Sequence, residues 1–353
     1  MADGSVAAGR RPRQADIARA AGVSQATVSM VLNHRVGEHH QIGEDTRRRV
    51  WAAVEQLGYV ANPAARTLAG GRNSVVGVYT FESVFPVDHR DFYHPFLIGI
   101  EEEAERQGFD LLLFSSASGP DRNRAIFRDG VNRLRIADGC VLLGRGGDRH
   151  ELARLANDAF PIVSVGRREL PDAQMSYVGA DYAAGTAEIV RHLAAHGHRR
   201  VALLSWDDDL EPTTDRVQGF RSGCADADVA FDPRLCRPVA DADVTTTLLE
   251  ELVQAGATAV IAQDEVIAVR LESAAALLGL TVPGDLSVAV LGDPPRGEPS
   301  GRDWTGFEIP RRRMGATALH TLVQRLDGHD GQPHQSLLPC TFQAGSTVAP
   351  AAS

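Results

Sequence analysis

Between residues 24 and 30 the chain sets out groups suited to reading base-pair edges: the hydroxyls of Ser24, Thr27 and Ser29, the amide of Gln25, and small apolar surfaces at Ala26 and Met30. Hydroxyls and amides both donate and accept, so they can address the donor and acceptor pattern of a DNA major groove. A thioether can cover a thymine methyl. Such groups work only when a helix presents them together, and the surrounding spacing predicts one. Ile17, Ala18 and Ala21 recur at helical intervals in a short first helix. Gly22 supplies a turn that tolerates positive φ, Val23 seals it, and Ser24 can N-cap a second helix whose Val28, Val31 and Leu32 face inward. Gln25, Ala26, Ser29 and Met30 then point outward, with Thr27 near the groove and Asn33 and Arg35 following in the next loop. An ordinary helical hairpin would meet one or two of these demands; meeting all of them reads as a helix-turn-helix.

A third helix, from about Gly43 to Leu57, places Val50, Val54 and Leu57 on one side, with Trp51 and Ala53 nearby, to close a three-helix core. Beyond it, Asn62 is a good N-cap, Pro63 suits the first helical position, Ala64 to Ala69 favour helix, and Gly70-Gly71 can end it. A helix of about two turns is marginal alone in water. This segment is therefore expected to order only when packed against its dimer mate on DNA, the plain alternative being an interdomain linker.

Charge follows the same division. Residues 1–74 hold ten Arg against six acidic residues, whereas the whole chain carries −10, so about −14 falls on the remainder and DNA affinity is expected at one end. All 36 basic residues are Arg, a preference that suits phosphate contacts and also fits a GC-rich coding sequence. The first residues are polar and basic without an apolar stretch, which predicts a loose tail over 1–11 and no secretory signal. Apolar runs such as Val201 to Leu204 are too short to cross a bilayer. Cys140, Cys224, Cys236 and Cys340 stand singly, as expected of buried thiols in a cytoplasmic protein.

From Ser74 onward short apolar strands alternate with amphipathic helices. Strands are expected at 75–79, 111–114, 140–143, 162–165, 201–204, 259–262 and 288–291, with helices at 96–107, 182–196, 244–255 and 265–278. The alternation predicts an α/β core of two doubly wound parallel-sheet lobes behind the small all-α head. Ligands of such sheets bind beyond the strand C-termini. Arg167 and Trp206 follow two of the strands and so face that cleft. Phe92, His94 and Phe96 lie at its expected mouth, where an aromatic can stack on an apolar sugar face and His94 can hydrogen-bond; equally, both aromatics can pack beneath the first helix.

Several motifs together resemble the LacI family of bacterial transcriptional regulators. They are Asp16-Ile17-Ala18-Arg19-Ala20-Ala21-Gly22-Val23-Ser24, Ala26-Thr27-Val28-Ser29 and the Asn62-to-Leu68 segment. In the core, Asp181, Gly185, His192-Leu193 and Gly197-His198 resemble a D-x3-G-x6-HL-x3-GH pattern, and Arg216 to Phe220 resembles R-x2-GF. The resemblance spans the chain to its C-terminus and implies lobes like those of periplasmic sugar-binding proteins, crossed by the chain near Val178, Ile309 and Leu338. It divides the chain into a head at 12–61, a hinge at 62–74 and a core at 75–353, with one lobe at about 75–178 and 309–337 and the other at 179–308 and 338–353.

By matched position the resemblance implies that Leu68 wedges into the minor groove at the operator centre, with Asn62, Ala65 and Arg66 alongside. It also implies that Arg216 and Asp264 grip effector hydroxyls, an Arg fork and a carboxylate together suiting a polyol. Gly292-Asp293 keeps one acid of a motif that has two. Gln343 to Ser346 lacks the usual Arg, Met30 replaces a recognition-helix Arg or His, and the 33–46 loop is long.

The implied partners are a double-stranded DNA operator, a small-molecule effector such as a sugar, and a second copy of the chain. No cofactor, metal or membrane is implied. Ligand and operator binding are expected to oppose each other; a corepressor of opposite sign and a stand-alone solute-binding protein are the alternatives. No G-x-S-x-G elbow, P-loop or HExxH occurs, so an enzyme is not expected. His192, His196 and His198 read as hydrogen-bonding residues, and the acid run Asp207-Asp208-Asp209 with Glu211 as a solvated loop.

Overall fold

The computed structural model describes residues 12–32, 42–59, 73–82, 92–115, 125–293, 302–328 and 331–351. Asn33, Arg35, Asn62, Ala65, Arg66 and Leu68 lie outside the described residues, as does the whole predicted hinge helix. Two compact units emerge, residues 1–73 and 74–353.

The first unit is a three-helix cluster. Helix α1 (Gln14–Ala21) ends at Gly22, whose φ of 63° lets the chain reverse in the left-handed region. Helix α2 (Gln25–Leu32) follows, and the Ser24 hydroxyl accepts the Thr27 N–H at 3.1 Å as its cap. Helix α3 (Glu44–Leu57) closes the core, where Ile17, Val28 and Val50 have no exposed surface. Ala53 is buried as expected. Trp51 is not: at 42% exposed it sits on the outer face, because the inward row of α3 runs through Val50, Ala53, Val54 and Leu57.

The second unit holds two six-stranded sheets. The first contains β1 (Val75–Thr80), β2 (Asp110–Phe114), β5 (Gly139–Leu143), β6 (Ile162–Val165), β7 (Ser176–Asp181) and β13 (Gln335–Pro339), all parallel, in the order β13-β7-β6-β5-β1-β2. The second contains β8 (Val201–Trp206), β9 (Cys236–Val239), β10 (Ala259–Ala262), β11 (Ser287–Val290), β12 (Thr305–Glu308) and β14 (Thr341–Gln343), in the order β14-β12-β11-β10-β8-β9. Here the expectation of a wholly parallel sheet is corrected: β14 pairs with β12 antiparallel, because the chain re-enters this lobe directly from β13 with no helix to reverse it. A small antiparallel hairpin, β3 (Phe127–Arg128) with β4 (Val131–Asn132), stands apart. Central strands are buried along their whole length, as sheets covered on both faces require.

Helices α4 (His94–Gln107), α5 (Arg149–Asn157) and α10 (Arg311–Leu326) belong to the first lobe. The second lobe carries α6 (Tyr182–Ala195), α7 (Glu211–Asp226), α8 (Thr246–Gln254) and α9 (Glu265–Leu277). The chain changes lobe after Asp181, after Glu308 and at Cys340. One apolar cluster runs through both lobes by way of Val178, Ala180, Tyr182, Phe307, Ile309 and Met314.

Local chemistry explains the sequence patterns. Asp181 caps α6 by accepting the Ala184 N–H at 2.9 Å. Within Arg216 to Phe220, Phe220 enters the core, and Gly219 is needed because a Cβ there would stand 2.2 Å from the Ala183 carbonyl oxygen. His198 is buried between the Thr258 hydroxyl at 2.9 Å and the Ala349 carbonyl at 3.0 Å. His192 departs from expectation. Among the described residues its ring has no hydrogen-bond partner and instead packs on Phe342 and His196, at 4.9 and 4.4 Å between centroids. All four cysteines are free; Cys140 and Cys224 are buried, whereas Cys236 and Cys340 are only half-buried.

Two expectations follow. Gly219→Ala should destabilise the fold by about 1–3 kcal/mol, since the added methyl overlaps backbone that must shift, and urea unfolding reads the change. Burial lowers the proton affinity of His198 below the ordinary value of 6.5. The folded state therefore keeps it neutral while the unfolded state takes up a proton. Stability is fully present above that ordinary value and declines as pH falls below it. His198→Gln should flatten this decline in a urea titration at several pH values.

Candidate functional site

On the first unit, the outward face of α2 carries Gln25 and Ala26 exposed, with Ser29 and Met30 half-buried beside them. Ser24 and Thr27 are partly committed already: their hydroxyls hydrogen-bond each other at 2.8 Å in addition to the cap. That bond fixes the start of the helix and holds both oxygens at its N-terminal turn.

In the second unit, the cleft between the lobes has a volume of about 640 Å³. All eight residues singled out in the sequence line it: Phe92, His94, Phe96, Arg167, Trp206, Arg216, Asp264 and Asp293. Arg167, Trp206, Asp264 and Asp293 end or closely follow β6, β8, β10 and β11, and Arg216 stands on α7, the helix after β8. These are the strand C-termini, where a doubly wound sheet leaves backbone groups and side chains facing a crevice.

Arg216 is 4% exposed and held rigidly. Its Nε donates to the Leu291 carbonyl at 3.1 Å, its Nη1 to the Pro212 carbonyl at 2.9 Å, and its guanidinium carbon lies 3.8 Å from the Tyr182 ring centroid. Asp264 caps α9 through the Ile267 N–H at 2.9 Å and accepts the Trp206 indole N–H at 3.0 Å. Each carboxylate oxygen is thus fixed by one donor and keeps a lone pair. Trp206 is further anchored by its backbone N–H on Gln263, whose amide donates to Thr213.

Three expected contacts need correction. Phe96 is 3% exposed and belongs to the apolar core beneath α4, so the aromatic surface offered to the cleft is that of Phe92, at 38% exposed. Arg167 is spent on a bidentate pair with Asp215, at 3.0 and 2.7 Å, and on Glu169. Its charge is neutralised across the lobes rather than left for a ligand. Asp293 accepts the Ile309 N–H at 3.1 Å and pairs with Arg311. The acid run also departs from a solvated loop. Glu211 is 3% exposed, accepts the Glu169 N–H at 3.0 Å, and lies 3.6 Å from Arg168 and 3.9 Å from Arg149. Burial lowers the proton affinity of Arg168.

Sequence reasoning missed Tyr93, Arg145, Arg168 and Arg311, which also line the cleft. Arg145 and Arg168 obey the rule that found Arg167: each follows a strand C-terminus, β5 or β6. Tyr93 donates its hydroxyl to Glu82, and burial beside that carboxylate pushes its proton affinity up.

Comparison with known proteins joins the two halves. Residues 15–62 match the model of bacterial regulatory proteins of the lacI family, and residues 190–348 match the periplasmic binding protein-like domain. The HTH-type transcriptional regulator CelR of Thermobifida fusca is 29% identical over 336 residues, spanning 93% of this chain and 96% of the relative. DegA of Bacillus subtilis strain 168, also an HTH-type transcriptional regulator, is 27% identical over 344 residues, spanning 95% and 97%. Among solved structures, a lac repressor dimer bound to operator and the anti-inducer ONPF superposes with a TM-score of 0.69 over 96% of this chain and 100% of that one, at 22% identity. A CelR–cellobiose complex gives 0.63 over 96% and 100%, at 24% identity. The chain belongs to the LacI family.

As a LacI-family member it is a helix-turn-helix transcriptional regulator and not an enzyme. Within the family frame Asp264 has a structural duty alongside any ligand contact, and the two can be separated. Asp264→Ala should cost about 0.5–2 kcal/mol through the lost cap and release Trp206. Asp264→Asn, which keeps an acceptor for Ile267, should recover most of that stability in thermal unfolding.

Proposed function

We propose that this regulator is a homodimeric repressor that binds a pseudo-palindromic operator through its helix-turn-helix heads and is released when a small carbohydrate fills the cleft. The observation that carries the reading is the convergence of donors, acceptors and aromatic surface on one cleft between two lobes, in a chain that also carries a helix-turn-helix head. Arg216 supplies a rigid donor fork, Asp264 supplies acceptors, and Phe92 and Trp206 supply faces for an apolar sugar surface. Ser24, Gln25, Ala26, Thr27, Ser29 and Met30 meet bases, with Asn33 and Arg35 alongside. Asn62, Ala65, Arg66 and Leu68 engage the minor groove. A cytoplasmic site of action follows from DNA binding, and no helix among the described residues is long and apolar enough to cross a membrane.

The relatives support this chemistry: one solved neighbour is a lac repressor dimer on operator, and another is a regulator with cellobiose. A ligand shifts such a protein only by its difference in affinity for the operator-bound and free forms, a coupling of about 1–3 kcal/mol in typical allosteric systems. The test is operator affinity at fixed salt, by fluorescence anisotropy, with and without candidate sugars. Release by roughly 5- to 150-fold is expected; tightening would reverse the sign to corepression. Leu68→Ala should weaken specific operator binding while leaving carbohydrate binding unchanged. Unaltered operator affinity in that variant would overturn the wedge role.

A further inference from the structure

Five arginines line the cleft: Arg145, Arg167, Arg168, Arg216 and Arg311. Three have carboxylate partners. Arg167 is held by Asp215 and Glu169, Arg168 by Glu211, and Arg311 by Asp293. Arg216 has none among the described residues, but it is spread over two backbone carbonyls and the Tyr182 face. Arg145 differs from all four.

Among the described residues its guanidinium makes neither a hydrogen bond nor an ion pair, and its Nη1 is buried without an acceptor. Its position is nevertheless fixed. The Arg145 backbone N–H donates to Glu82 at 3.1 Å, its carbonyl accepts from Arg168 at 2.7 Å, and the guanidinium lies 4.0 Å from the Trp206 ring centroid. Trp206 in turn is locked by Asp264 and Gln263. Stacking on an indole orients a guanidinium and leaves its edge, with the N–H donors, open to an acceptor in its plane. A buried donor left without an acceptor costs free energy, more so when charged.

Three of the acids that line the cleft are committed elsewhere. Asp264 serves the α9 cap and the indole, Asp293 serves Ile309 and Arg311, and Glu82 serves the Tyr93 hydroxyl and the Arg145 backbone. A neutral polyol would supply dipoles to this cation, whereas an oxyanion would supply both lone pairs and the missing charge.

We infer that the natural effector is an anionic carbohydrate, a sugar acid or a sugar phosphate, whose oxyanion sits on Arg145 while its ring lies toward Phe92 and Trp206. The inference rests on the proposed carbohydrate-gated function and narrows its ligand class. Carboxylate and phosphoryl groups share the required chemistry, so the experiment takes both.

Full-length protein is titrated by calorimetry with glucose, cellobiose, glucuronate, gluconate, glucose 6-phosphate and inorganic phosphate, and operator affinity is followed with each. At least one anionic sugar should bind tenfold or more tightly than its neutral counterpart and alter operator affinity; uronate and phosphate arms tell the two oxyanions apart. Arg145→Gln should erase that preference, with a loss of tenfold or more for the anion and little change for the neutral sugar. Arg145→Lys should restore part of it. Comparable binding of neutral and anionic sugars, or an anion preference that survives Arg145→Gln, overturns the oxyanion assignment and leaves the carbohydrate-gated reading standing. Binding of inorganic phosphate without any sugar response also overturns it. Absence of any carbohydrate effect on operator affinity overturns both readings together.

Discussion

A guanidinium taken out of water needs a counter-charge or a full set of acceptors, and the cleft of this protein is organised by that requirement. On the first lobe stand Arg149, Arg167 and Arg168, with Arg311 at the head of the helix that packs against it. Facing them from the second lobe are Asp209, Glu211, Asp215 and Asp293. Each pairing crosses from one lobe to the other. Arg149 and Asp209 form an exposed pair of the kind that contributes little, but the others do not: the Arg167 and Asp215 side chains are 18% and 13% exposed, and their geometry is bidentate. Separation of the lobes would strand several charges at once, so the spacing of the two sheets is tied to how completely the cleft is neutralised.

Much of the fold was legible because buried parallel strands leave plain marks. The runs Ala259 to Ala262 and Ile162 to Val165 are buried at every position, as strands covered on both faces must be, and both are almost wholly apolar. Strands that mix polar and apolar residues carry no such mark. Ser176–Asp181, Cys236–Val239, Gln335–Pro339 and Thr341–Gln343 lie toward sheet edges or at the crossovers, where burial is partial and tertiary pairing rather than pattern decides the conformation. Helix α10 was hidden for a related reason. Three arginines open it, and its apolar face begins only at Met314.

The site was legible in proportion to how local its logic is. Trp206 ends a strand, and Arg167, Asp264 and Asp293 follow closely on three others, so position along the chain placed them at the cleft. Arg145 obeys the same geometry, but a side chain set among Gly144, Gly146 and Gly147 belongs to no periodic pattern that would single it out. What position along the chain could not convey was commitment. Asp215 lies 48 residues from Arg167, and Glu211 lies 42 from Glu169; their union depends on the lobes facing each other. Sequence thus identified which groups face the cleft better than which of them are already satisfied.

That distinction bears on how the cleft can act as a switch. A ligand shifts a conformational equilibrium only through its differential affinity for the two states, however tightly it binds. The Arg–carboxylate pairs stabilise the facing arrangement of the lobes without a ligand, so hydrogen bonds to residues of one lobe alone add affinity without adding bias. Bias requires a ligand that engages both walls. Arg145 stands on the first lobe yet stacks on Trp206 of the second, whose indole is fixed to Asp264 at the head of α9. A group bound at that junction therefore feels both lobes at once, and its affinity depends on the very contact that opening of the cleft would break.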